Sequence, residues 1–374
     1  MAPVNCPDFS GAFPQQRDQI LKSPHWKAAM HNDIAAARRR RPAIVLALII
    51  AVVAGCRGGP SDVVGGSGPA NAHTNLTLVA YSAPEPGWSK VIPAFNASQE
   101  GKGVQVITSY GASGDQSRGV VDGKPADVVN FSVEPDVTRL VKAGKVAKEW
   151  NTDATKGIPF GSVVVLVVRA GNPKNIRDWD DLVRPGVEVI TPSPLSSGSA
   201  KWNLLAPYAV KSSGGKDNQA GVDFIKKMVS EHVKLRPGSA REATDVFVQG
   251  SGDVLISYEN EAIATERAGK PVEHVIPQQS FKIENPLAVV STSPHLDAAT
   301  AFKNFQYTAA AQKLWAQAGF RPVDPAVAAD FRSQYPVPTK LWTIADLGGW
   351  TTTDPELFDK STGSITKIYM RATG

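Results

Sequence analysis

From residue 76 onward the chain alternates short apolar runs with longer stretches in which apolar positions recur every three or four residues. LTLVAY (76–81), VQVITSY (104–110), ADVVNF (126–131), VEVI (187–190) and DVLISY (253–258) predict strands. SVVVLVVR (162–169) is almost unbroken β-branched sequence, the pattern of a strand covered on both faces. Helices are predicted over 87–98, 113–121, 134–143, 199–212, 221–230, 241–249, onward from 259, and as one long stretch over 296–318 that stops at Gly319, with Pro322 just beyond. Alternation of this kind predicts an α/β fold with a largely parallel sheet, whose ligands bind beyond the carboxyl ends of the strands.

Upstream of residue 76 the pattern changes. Arg38, Arg39, Arg40 and Arg41 precede Pro42 and an apolar run from 43 to 55. A charged segment followed by a short apolar one is signal-peptide grammar. The run is also shorter than the ~20 residues a permanent span needs. It ends Val53-Ala54-Gly55-Cys56, which resembles the bacterial lipobox, so Cys56 is expected to carry lipid and to begin the mature chain. Residues 1–55 therefore read as leader, with Met30 the expected working start, and the Gly-, Ser- and Pro-rich stretch 56–75 as a flexible tether. The four-Arg run fits twin-arginine export in several registers and selects none.

The leader also corrects the charge. The 374-residue chain has a formal net charge of +5, but beyond residue 55 it holds 33 basic against 32 acidic residues, which leaves no footprint for nucleic acid. Of the two cysteines, Cys6 lies in the leader and Cys56 at its end, so the mature chain has no internal disulfide and no thiolate metal site. Its four histidines, His73, His232, His274 and His295, have no metal-ligand spacing. No metal and no cofactor is expected.

Three predicted strands end in small polar residues and run into a helix: Tyr81-Ser82-Ala83, the loop from Ser109 to Gly114, and the loop from Ile190 to Ser199. Hydroxyls and amides at helix starts can hold an oxyanion, and the same residues serve equally as plain helix caps. Ser197 could be a hydrolase nucleophile, but no G-x-S-x-G elbow and no partnering His accompany it. Glu259 and Glu261 could form an acid–base pair, yet positions i and i+2 of a helix face apart, which favours structural roles.

The motifs decide further. SYGASGDQ (109–116), GKPADVV (123–129), the block VRAGNPKNIRDWDDLVRPGVEVITPSPLSSGSAKWNLLA (168–206), GSAREATDVF (238–247), GDVLISYENEA (252–262), GFRPV (319–323) and LGGW (347–350) together resemble the bacterial periplasmic sulfate-binding proteins, receptors of ABC importers. The resemblance spans about 76–368. It implies a two-lobed type II periplasmic-binding-protein fold, α/β with mixed, mostly parallel sheets and a ligand cleft between lobes. The implied lobes are 76–160 plus 285–345, and 161–284, with 346–374 wrapping the first lobe. Two crossing strands are the implied hinge. The implied ligand is sulfate, or thiosulfate, with molybdate or tungstate as wider alternatives. The implied partners are a membrane ABC permease with its ATPase and, through Cys56, the membrane itself. The implied receptor is a monomer and not an enzyme.

The resemblance also implies a donor set: the backbone N–H of Ser82, the Ser113 hydroxyl, Ser197, Gly198 and Ser199 at one helix start, the Ala240 N–H at another, and Tyr258, with Arg241 behind the Ala240 peptide. Three positions depart from the family: Ser82 replaces an Asp, Ser199 a Gly, and Tyr258 a Trp whose indole donates. A pocket of donors alone suits sulfate, which carries no proton, and opposes hydrogen phosphate. Glu85 is the one nearby carboxylate that would supply an acceptor.

Overall fold

The computed structural model describes residues 73–372, so Cys56, Met30 and the expected leader and tether up to residue 72 lie outside the described residues. Among those described, twelve strands form two sheets. The first has the order β10(Leu287–Val289), β3(Val128–Asn130), β1(Thr74–Tyr81), β2(Val104–Gly111). In it β1 runs parallel to β2 and β3, and β10 is antiparallel. The second runs β12(Lys340–Trp342), β9(Gln279–Glu284), β4(Phe160–Arg169), β7(Val254–Tyr258), β5(Val189–Ile190), β6(Val233–Leu235). Two further strands, β8(Val272–Val275) and β11(Arg321–Pro322), also pair with β4.

The β-branched run is β4, and it works as its sequence predicts. Val164, Leu166 and Val168 enter one apolar cluster, while Val163, Val165 and Val167 enter another on the opposite face. Strand periodicity of two sends alternate side chains to opposite faces, and burying each Val contributes roughly 1.5–3 kcal/mol. At its first residue the strand belongs elsewhere. Phe160 packs with Trp88, Trp315 and Phe320 in the core of the first sheet. The chain thus crosses between lobes at the start of β4 and returns between β9 and β10.

Two expectations are corrected. The stretch 296–318 is two helices, broken where Thr308 accepts a hydrogen bond from Ala311 N–H and starts a new one. The C-terminal segment packs on the second lobe and not the first. From β12, which pairs with β9, the chain joins the larger sheet. Trp350, Leu357, Phe358, Ile365 and Tyr369 then fill the cluster that holds Trp202, Tyr208 and Ile225, with Trp350 edge-on to Trp202 at 4.9 Å. The apolar face of the segment matched the larger cluster, which an internal count of strands does not reveal.

Among the described residues the first seven α-helices are α1(Glu85–Ala97), α2(Ser113–Val121), α3(Glu134–Lys142), α4(Gly198–Lys211), α5(Asn218–Lys227), α6(Ala240–Val248) and α7(Glu259–Arg267), and all but α5 frame the site. Each of α1, α2, α3, α4, α6 and α7 starts within five residues of the carboxyl end of β1, β2, β3, or a few residues beyond β5, β6 and β7.

Candidate functional site

Strand direction and helix starts place the expected residues on one side of each sheet, where parallel strands end and helix dipoles begin. Ser82, Ser113, Ser197, Gly198, Ser199, Ala240 and Tyr258 are all buried. The helix starts are not closed by plain capping. The N-cap residues of α2, α4 and α7 offer no side-chain cap, although Asn260 N–H of α7 reaches Ser162 Oγ at 3.4 Å, which leaves first-turn amides of α4, Gly198 and Ser199 among them, unclaimed by a cap. Capping does occur at α6, where Ser239 Oγ accepts from Glu242 N–H at 3.2 Å, and it leaves the Ala240 amide free of that role.

The two lobes meet at these loops. Gly114 N–H, in the first lobe, donates to the Ser196 carbonyl of the second at 3.1 Å. Gly198 lies so close to the first lobe that a Cβ on it would stand 2.9 Å from Ser132 Cβ and 3.1 Å from Ser113 Cβ. The Ala240 loop is tied to the same place, since Ser196 Oγ donates to the Gly238 carbonyl at 2.7 Å and Ser193 N–H to the Pro237 carbonyl at 2.8 Å.

Tyr258, fully buried, sits at the join. Its hydroxyl is 2.7 Å from Ser132 Oγ, with the Ser199 and Asn285 side chains nearby. Burial pushes its pKa above the ordinary phenol value, partly offset by the polar side chains around it, Ser132 first. The Tyr81 ring lies 6.5 Å away, tilted at 58°. The Tyr81 hydroxyl is buried without a hydrogen-bond partner among the described residues.

Two expected donors are already engaged. Ser82 N–H donates to the Gly111 carbonyl at 3.1 Å, continuing the strand ladder, so its hydroxyl is the group left to offer. Ser113 Oγ donates to Asp136 Oδ2 at 2.6 Å and accepts from Ser132 N–H at 2.9 Å. Asp136 is 3% exposed and is also held by Arg139 at 2.8 Å. It corrects the view that Glu85 is the nearest acceptor, because Glu85 is exposed. A carboxylate does stand behind this cleft, screened by the Ser113 hydroxyl.

Arg241 stands 3.5 Å from Glu261 Oε1, and Thr244 Oγ1 donates to Glu261 Oε2 at 3.3 Å. Burial raises the Glu261 pKa, and Arg241 counters it. Glu259 turns the other way, to a bidentate pair with Arg321 at 2.7 and 2.8 Å. The two carboxylates face apart, as their spacing requires. His232 and His274 are bonded to the Val187 carbonyl and Glu266, away from Ser197. Among the described residues no group of His, Cys, Asp or Glu is arranged to hold a metal, and no helix is long and apolar enough to cross a membrane.

Ser132, Tyr81 and Asp136 are the site residues that sequence reasoning missed. Ser132 carried a legible signal: it follows the apolar run ending at Phe131 and precedes a helix, as the serines of the other loops do.

A two-lobed α/β body with helix starts and neutral donors buried between its lobes defines a solute-binding receptor. Residues 76–321 match the bacterial extracellular solute-binding protein family. The chain belongs to that family, within its sulfate-binding branch. It is 38% identical to the sulfate-binding protein of Synechococcus elongatus over 89% of this chain and 96% of that one. It is 82% identical to the solved sulfate-binding protein SubI of Mycobacterium tuberculosis, with a TM-score of 0.76, covering 77% of this chain and all of that one. A thiosulfate-binding protein of Pseudomonas aeruginosa is 32% identical over 76% of this chain and 89% of its own.

Proposed function

We infer that this chain captures sulfate outside the cytoplasm and hands it to an ABC permease driven by its ATPase. The observation that carries this reading is the composition of the cleft. Its candidate contacts are Ser82, Ser113, Ser197, Gly198, Ser199, Ala240 and Tyr258, all neutral, all buried, and set at helix starts. A dianion in such a place is stabilised by several charge-assisted bonds, each worth about 1.5–3 kcal/mol. Positive helix ends spread the compensation further, and no cation is needed in contact.

Ser113 adds a step to this picture. A hydroxyl has one proton, and here it points to Asp136. To serve the anion it turns from one acceptor to another, while Arg139 keeps Asp136 paired. The exchange replaces one charge-assisted bond by another, so Ser113 contributes less to affinity than a donor that starts free.

Calorimetric titration with sulfate, thiosulfate, molybdate and inorganic phosphate tests the reading. Sulfate is expected to bind tightest and phosphate to compete poorly. Failure to bind sulfate would overturn it. Thiosulfate is the second reading, favoured by the thiosulfate-binding relative. Attachment to the membrane through lipid on Cys56 belongs to the same proposal, supported by the apolar run that ends there.

A further inference from the structure

We propose that Ser132 fixes the anion-facing hydroxyls of the cleft and, through them, its preference for an unprotonated dianion. The inference rests on the sulfate reading above. Ser132 lies two residues beyond the end of β3 in the first lobe and is fully buried. Each of its polar groups is engaged. Its N–H donates to Ser113 Oγ at 2.9 Å, and its hydroxyl lies 2.7 Å from the Tyr258 hydroxyl. Its carbonyl accepts from Trp202 Nε1 at 2.7 Å and Asn285 Nδ2 at 3.0 Å. One residue thus touches a candidate anion-facing hydroxyl in each lobe.

The proton order follows from chemistry. A hydroxyl donates once and accepts through its lone pairs. A phenol is intrinsically more acidic than an aliphatic alcohol in the same surroundings, so of the two O–H groups it is the stronger donor to an anion. The chain therefore runs from Ser132 O–H to the Tyr258 oxygen, and from Tyr258 O–H to the anion, each bond strengthening the next. Ser132 likewise fills a lone pair of Ser113 with its amide. On each of the two hydroxyls one lone pair that a proton-bearing ligand would use is thus taken by a donor of Ser132. Sulfate has no proton to place, whereas hydrogen phosphate does, and it meets donors in both lobes.

The test is calorimetric titration of the full chain with sulfate and with inorganic phosphate, using the parent, Ser132→Ala, Tyr258→Phe and the double variant. Ser132→Ala should weaken sulfate about three- to tenfold, the range for losing one hydrogen bond, and phosphate less, so that the ratio narrows. In the Tyr258→Phe background it should cost sulfate nothing more, because the phenol it orients is gone. A second pair guards against misfolding: Ser132→Thr should keep the parent ratio and the isosteric Ser132→Val should narrow it. Equal loss for both anions, or full additivity with Tyr258→Phe, would overturn the role of Ser132 while leaving the sulfate reading intact. A parent chain that binds no sulfate would overturn both.

Discussion

Replacing Gly198 by Ala adds one methyl group at the point where the lobes touch. Its carbon would stand 2.9 Å from Ser132 Cβ, 3.1 Å from Ser113 Cβ and 3.2 Å from Ser113 Oγ. Carbon atoms rest at about 3.5–4.0 Å, so the nearest contact falls short by over half an ångström. Both neighbours are buried side chains of the other lobe and cannot step aside. Overpacking of this kind costs about 1–3 kcal/mol, which corresponds to roughly five- to 150-fold in dissociation constant. The cost arises only when the lobes close, since Gly198 sits on α4 of one lobe and its obstacles on the other. Sulfate affinity should therefore fall by that factor while the melting temperature of the unliganded protein stays within a degree or two. Small-angle scattering should show the parent contracting with sulfate and the variant contracting less. Parent-like sulfate affinity in Gly198→Ala would refute the argument, as would an equal loss of unliganded stability.

Tyr258→Phe keeps the ring and removes the hydroxyl, so sulfate binding by calorimetry should weaken by about 1.5–3 kcal/mol, the worth of a bond to a charged partner; unchanged affinity would make Tyr258 a wall of the cleft. Sulfate affinity should be flat from pH ~5 to 8, because sulfate does not titrate there and burial holds the Tyr258 proton past the ordinary phenol range; titrations across that window check it. Burial raises the Glu261 pKa in the folded state, so its contribution to stability is complete below the ordinary carboxyl value and declines as pH rises through the folded one. Glu261→Gln should flatten that decline in thermal melts. Cys56→Ser should release the protein from the membrane fraction on cell fractionation, and deletion of residues 1–29 should leave export intact if Met30 opens the working signal.

Much of this architecture is written in periodicity. The run from 162 to 169 could only be a strand buried on both faces, and it is the spine of the larger sheet. The loops at Ser113 and Ser197 were legible as small polar residues between strand and helix. Other features were not. Asp136 follows Pro135 in the first turn of α3, an ordinary helix-start acid in sequence, and only the packing of α3 against α2 brings it to Ser113. Ser82 offers a backbone donor on paper, yet the pairing of β1 with β2 takes that amide. The break at Thr308 inside an apolar-periodic stretch rests on one side-chain cap that helix propensity does not outweigh.

The tail of the chain has a consequence for how such a protein is made. Trp350, Leu357, Phe358, Ile365 and Tyr369 are walls of the second lobe's core, packed on helices encoded some 150 residues earlier in the reading frame. A ribosome delivers those earlier helices first, and they must wait for their last wall. Until it arrives, Trp202 and its neighbours have no partner to seal them. The nascent second lobe therefore stays unfinished until the stretch from Trp350 to Tyr369 has been made.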